Sequence, residues 1–173
     1  MKKNLILLGM MGVGKTTLGK MVAKKRNLKF IDTDQNIEKK NLMKISEIFK
    51  TKGEKYFRQE EEKEVLKCLE KNNCVVALGG GAFINKNVRD FILKNSISIW
   101  LDTNLNTLTK RVKWNKKRPL LDKKNNFSII KKLHSERKNI YKLANYKINC
   151  DNLKKKSIVK KIIIFYEKKT IES

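Results

Sequence analysis

The sequence predicts an α/β fold, a parallel sheet covered by helices on both faces, and three observations carry that prediction. Short apolar runs at residues 4–8, 29–32, 74–78, 96–102 and 147–150 read as strands, and longer amphipathic stretches separate them. The runs Val75-Val76-Ala77-Leu78 and Ile97-Ser98-Ile99-Trp100-Leu101 are nearly continuous rather than alternating, as strands buried on both faces must be. The first run ends in a cluster of glycines that leads directly into a helical pattern.

That first junction, Gly9-Met10-Met11-Gly12-Val13-Gly14-Lys15-Thr16-Thr17, has the spacing of a phosphate-binding P-loop. Glycines let successive backbone N–H groups converge on an anion without a Cβ in the way. The helix opening at Lys15 adds the positive end of its dipole. Gly12, Val13, Gly14, Lys15, Thr16 and Thr17 are therefore the expected cradle for nucleotide phosphates. Lys15 is expected to reach the outer phosphates, and the Thr16 hydroxyl to hold Mg²⁺.

Downstream, Leu18, Met21 and Val22 have helical spacing and form a core stripe, as do Val65, Leu66 and Leu69 in a later helix. Asp32-Thr33-Asp34 stands just past the second strand, at the carboxyl edge where open α/β sheets bind ligands. Asp32 is expected to engage Mg²⁺ through water. Asp34 is expected to take or orient a hydroxyl proton, the alternative being a helix N-cap. Two short helical pieces, 36–40 and 44–49, lengthen the next crossover beside the phosphate site. The stretch Gly53 to Glu61 is read as opening a helix, with Arg58 and Glu61 three apart on one face. Gly79-Gly80-Gly81 ends the third strand, and three glycines there let a ligand touch backbone.

Residues 114–128 are polar, rich in lysine and broken by the chain's one proline, Pro119, and read as a mobile lid. Trp114 borders it, whereas Trp100 belongs under the sheet. Apolar periodicity returns in 127–144, where His134 reads as an exposed helix residue. A final helix is expected at 158–166, with Ile162, Ile163 and Phe165 docked on the sheet.

At 173 residues the chain fits one domain. No apolar run approaches the roughly 20 residues of a membrane span, and Met1-Lys2-Lys3 leads into a first strand rather than a signal peptide. Cys68, Cys74 and Cys150 form no C-x-x-C pair, which suits a reducing cytoplasm. The formal net charge of +25 raises the question of nucleic acid. The excess is mainly lysine spread over every segment, with no aromatic-basic signature, so a solvated surface that attracts anionic substrates is expected.

Taken in order, G-x-x-G-x-G-K-T-T, D-T-D, F-R-x-x-E, G-G-G, R-P-L-L and E-R-x-x-x-Y resemble the shikimate kinase family, over residues 4–148. The resemblance implies a nucleoside monophosphate kinase-like sandwich with a five-stranded parallel sheet ordered 2-3-1-4-5. It implies a single kinase domain over 1–173, with a substrate-binding segment near 33–61 and a lid near 114–128. It further implies transfer of the ATP γ-phosphate to the 3-hydroxyl of shikimate, with Mg²⁺ accompanying the nucleotide, by a monomer with no nucleic-acid or membrane partner. Carried over by residue, Asp34 binds the reacting hydroxyl side, and Arg58 and Arg137 bind the carboxylate. Gly79, Gly80 and Gly81 supply backbone, with Gly80 donating. Arg118 reaches the transferring phosphoryl group, and Arg111 stacks on adenine. Leu42 departs from the family, which usually has glycine there, and the adenine side near 152–154 follows no clear pattern. Two rivals stay open: another small-metabolite P-loop kinase, such as one acting on gluconate, and a basic nucleic-acid-binding ATPase. A GTPase is disfavoured, because Asn85-Lys86-Asn87-Val88 and Asn115-Lys116-Lys117-Arg118 both lack the aspartate that reads guanine.

Overall fold

The computed structural model describes residues 3–113 and 126–171. Five strands form one parallel sheet: β1 (Asn4–Leu8), β2 (Lys29–Asp32), β3 (Cys74–Ala77), β4 (Ser96–Asp102) and β5 (Tyr146–Asn149), in the order β2-β3-β1-β4-β5. The predicted strands hold to within a residue at their ends, and the order is the one the family resemblance implies. Burial explains the apolar runs: every residue of β1 is buried, whereas the edge strands β2 and β5 each bury one residue, Ile31 and Ile148. Leu5 lies opposite Val75 on one side and Ile97 on the other, which puts β1 at the centre.

Helices α1 (Lys15–Arg26) and α7 (Lys155–Ile171) pack together on one face of the sheet. Helices α3 (Ile45–Leu69) and α4 (Lys86–Asn95) pack together on the other, as right-handed crossovers require. Helix α2 (Thr33–Asn41) joins β2 to α3. Helices α5 (Leu105–Lys113) and α6 (Asn126–Tyr141) join β4 to β5. The final helix is longer than 158–166, because the basic residues flanking that apolar stretch extend it at both ends. Ile162 is fully buried in it, and Phe165 stacks on Tyr146 with ring centroids 4.5 Å apart.

Two hydrophobic clusters result. The main one fills both sides of the sheet, and a small one joins Ile37, Ile48 and Phe57 within α2 and α3. The range of α3 holds two helical segments that meet at a break at Gly53 (φ 82°, ψ 167°), where the sequence separates the 44–49 piece from a helix opening at Gly53. Of the expected lid, residues 126–128 form the first turn of α6, and 114–125, with Trp114, lie outside the described residues. Among the described residues no helix is long and apolar enough to cross a membrane. The three cysteines are buried free thiols.

Leu42 ends α2 in the left-handed region at φ 52°, and its side chain is 92% exposed. A Cβ there costs roughly 1 kcal/mol that glycine avoids, and an exposed leucine returns little in packing. Leu42→Gly should therefore raise stability by about 0.5–1 kcal/mol, a Tm increase of about 1–4 °C for a chain of this size. Thermal denaturation of the variant beside the parent chain tests this. A lower Tm would show that the leucine makes an unrecognised contact.

Candidate active site

The carboxyl edge of the sheet gathers the predicted residues. After β1 the loop turns under the end of β4 so closely that a Cβ on Gly9 (φ 138°) would collide with the Leu101 carbonyl. Gly14 caps α1 from the left-handed region at φ 106°. Gly12 and Gly14 line the loop, while the Val13 side chain turns into the core at 2% exposure. Lys15 Nζ donates to the carbonyls of Gly9 at 2.7 Å and Met10 at 3.1 Å, so the ammonium lies across the loop. Thr17 is exposed on the first turn of α1. Arg111 reaches the outer side of the loop from α5, with Nη1 3.5 Å from the Gly12 carbonyl and 3.4 Å from that of Val13. Arg118 lies outside the described residues.

The three residues of D-T-D face three ways. Asp32 accepts a 2.6 Å hydrogen bond from the Thr16 hydroxyl, which joins two hard oxygen donors beside the phosphate cradle. Asp32, not Asp34, is the N-cap of α2, accepting from the Gln35 amide at 3.2 Å. The side-chain geometry explains the correction: the residue just before the first helical turn caps it, and Asp34 already lies within that turn. Thr33 is fully buried; it accepts from the Gly79 amide at 3.0 Å and donates to the Ala77 carbonyl, tying α2 to the end of β3.

A cleft of about 760 Å³ opens beside the loop, lined by Asp34, Arg58, Glu61, Gly80, Gly81 and Arg137 among others, with Thr16 and Asp32 at its phosphate end. Each glycine of the triplet makes room for charge. A Cβ on Gly79 would lie 2.5 Å from Asp34 Oδ1 and 2.6 Å from Glu61 Oε1. One on Gly80 would lie 3.2 Å from Arg137 Nη1, and one on Gly81 would strike the Arg58 guanidinium. Arg58 donates to Glu61 Oε2 from Nη1 at 2.7 Å, and to Glu54 Oε1 from Nε and Nη2 at 3.2 and 3.1 Å. Its pair with Glu61 is not an ordinary surface ion pair, because the Glu61 side chain is only 4% exposed. Arg137 on α6 is 8% exposed. Phe49 and Phe57, with ring centroids 4.7 Å apart, form an apolar wall under the Arg58 guanidinium.

Sequence reasoning assigned no site role to Glu61, Thr33 or Tyr141. The carboxylate of F-R-x-x-E and the tyrosine of E-R-x-x-x-Y were visible in the motifs. Their burial against the glycine triplet was not, since it joins residues far apart in the chain. His134 is half-buried rather than exposed, because α6 sets its Nε2 3.8 Å from Asp102, which also pairs with Lys147 at 2.9 Å.

Burial pushes the Glu61 carboxyl above its ordinary 4.5 against the pull of Arg58, and the Asp34 carboxylate pushes the same way. A carboxyl whose pKa is raised on folding binds its proton more tightly in the native state. Its contribution to stability is therefore lost as the pH rises above the ordinary value toward the raised one. Glu61→Gln removes that loss, so the stability of the variant relative to the parent chain should grow as the pH rises above the ordinary 4.5. Urea denaturation as a function of pH measures it, and a constant difference would contradict the buried-carboxyl account.

Comparison with known proteins agrees with this geometry. The family model "Shikimate kinase" matches residues 11–167. The shikimate kinase of Sulfurihydrogenibium sp. (strain YO3AOP1) is 45% identical over 161 residues, covering 93% of this chain and 96% of that one. The shikimate kinase of Bartonella henselae is 42% identical over 159 residues, covering 92% of this chain and 76% of that one. Among solved structures, the shikimate kinase of Acinetobacter baumannii in complex with shikimate superposes with a TM-score of 0.92 at 30% identity, covering 96% of this chain and 94% of that one. With the glycine loop, the D-T-D edge and the charged cleft all in one sheet-edge arrangement, the chain belongs to the shikimate kinase family.

Proposed function

We propose that this chain transfers the γ-phosphoryl group of ATP to the 3-hydroxyl of shikimate, giving shikimate 3-phosphate and ADP in the route to chorismate and the aromatic amino acids. The observation that carries the reading is the convergence of two guanidinium groups, two carboxylates and the backbone of Gly80 and Gly81 in one cleft beside a phosphate loop. A small carbocyclic acid presents one carboxylate and several hydroxyls. Planar guanidinium groups hold the former best, and carboxylate and backbone partners the latter. The Phe49–Phe57 wall suits the ring.

In this reading Arg58 and Arg137 hold the substrate carboxylate, while Asp34 orients the reacting hydroxyl and accepts its proton, with Gly79, Gly80 and Gly81 supplying backbone and Gly80 donating. Gly12, Val13, Gly14, Lys15, Thr16 and Thr17 hold the nucleotide phosphates, and Arg111 flanks the adenine. Arg118 belongs to the segment outside the described residues, and the proposal assigns it the charge that moves during transfer. The Thr16 hydroxyl and Asp32 carboxylate fit Mg²⁺, a hard cation bound through few protein oxygens and the phosphates themselves. When bound, the ion neutralises phosphate charge. The partners are then small molecules alone, shikimate and MgATP, acting on a monomer in the cytoplasm, and the diffuse basic surface serves to draw in anions.

A coupled ADP-release assay tests the reading: shikimate should support rapid turnover, and gluconate or nucleoside monophosphates little. A clear preference for gluconate, or ATP hydrolysis stimulated by nucleic acid, would overturn it. Two variants should then fail differently. Arg58→Lys keeps a cation beside Glu61 but loses the planar fork. Its KM for shikimate should rise by about 10- to 150-fold while turnover at saturation suffers less. Asp34→Asn keeps the shape but loses the proton acceptor, so turnover should fall about 100-fold or more with shikimate still bound. Near-normal turnover of Asp34→Asn would remove that residue from the chemistry.

A further inference from the structure

Tyr141 is fully buried on α6, one turn beyond Arg137, and its hydroxyl donates to the Gly80 carbonyl at 2.5 Å. Its ring tilts against Trp100 at 5.9 Å between centroids, and Trp100 in turn lies under the Lys147 ammonium, 4.4 Å from the ring centre. That wall fixes the hydroxyl. Burial pushes its pKa up to about 12 against the opposing pull of Arg137, whose guanidinium also bonds the hydroxyl, so it remains a proton donor at any working pH.

The carbonyl it holds belongs to the same planar unit as the Gly81 N–H, and no peptide in the described chain is cis. In a trans peptide the two groups point in opposite directions. A carbonyl drawn to the Tyr141 hydroxyl therefore turns the Gly81 N–H away from that hydroxyl, and both Gly80 and Gly81 line the cleft. The neighbouring carbonyls are bound elsewhere, that of Gly79 by the Ala82 amide and that of Gly81 by the Ile84 amide. Among the described residues, neither the Gly80 nor the Gly81 amide donates to a protein group.

We propose that Tyr141 is a positioning residue: by gripping the Gly80 carbonyl it sets the direction in which the Gly81 N–H meets the substrate. The proposal rests on the shikimate reading above. Without the hydroxyl, the Gly80 carbonyl loses its side-chain donor and the peptide is free to turn toward another, which misdirects the donor that the substrate needs.

The test compares Tyr141→Phe with Trp100→Phe and the parent chain, by steady-state kinetics and Tm. Tyr141→Phe keeps the ring against Trp100 and should raise the KM for shikimate by about 3- to 10-fold, with the KM for ATP and turnover at saturation changed less than about 2-fold. Trp100→Phe disturbs the same wall without touching the hydroxyl, so it should lower Tm and leave the KM for shikimate alone. An unchanged KM in Tyr141→Phe, or an equal rise in Trp100→Phe, overturns the proposal while the functional reading stands. A parent chain inactive on shikimate overturns both. Should the Phe variant fail to fold, ¹⁵N-glycine spectra of the parent chain decide the matter. The Gly81 amide signal should move on adding shikimate, and a signal that stays put overturns the proposal.

Discussion

Parallel hydrogen bonding forces every strand's carboxyl end onto the same edge, and everything chemical in this protein hangs from that edge. The glycine loop leaves β1, Asp32 closes β2, the glycine triplet follows β3 and Asp102 closes β4. Because β1 is central, with β3 and β4 on its flanks, the phosphate loop stands between the glycine triplet and the Leu101 end of β4. One constraint of backbone pairing thus sets an anion cradle beside a substrate cleft before any side chain is chosen.

The cleft then has to keep charges close together where some of them are withdrawn from solvent. Glu61 and Arg137 are buried and Arg58 is partly so, so each must be offset by a neighbour. The glycine triplet makes this arrangement possible by omission: any side chain there would displace an acid or an arginine. Asp34 and Glu61 meet over Gly79, Arg137 lies over Gly80 and Arg58 over Gly81, which sets two acids beside two arginines along the triplet. Burial raises the Glu61 pKa even with Arg58 attached, so at that position desolvation outweighs pairing.

What the sequence made legible was local chemistry. Glycine spacing, the D-T-D triplet and apolar runs each act within a few residues, so the strands, the phosphate loop and most of the cleft residues could be read directly. What stayed hidden depends on distance along the chain. Thr33 earns its place through Gly79, 46 positions away, and Tyr141 through Gly80, 61 positions away. No periodicity marks such contacts. The half-burial of His134 belongs to the same class, since only the docking of α6 brings it near Asp102. Leu42 is the reverse case: its oddity was visible as a departure from the family, and the left-handed backbone gives that oddity a physical meaning.

Helix α3 explains why the site lies where it does. Its first half contributes Ile48 and Phe57 to the small hydrophobic cluster, and its second half contributes Val65, Cys68 and Leu69 to the main core. Arg58 and Glu61 occupy the changeover between the two. An apolar contact at the changeover would have fused the clusters into one; a buried ion pair keeps them distinct. Two further links between the two parts are polar as well: Thr33 to Gly79, and Asn36 to Glu64 at 2.7 Å. Hydrogen bonds and ion pairs are directional and exchange partners readily, whereas a shared apolar core does not. The seam between the cores is therefore the place where a charged, hydroxylated ligand can substitute its own groups for those of the protein, and the cleft lies along that seam.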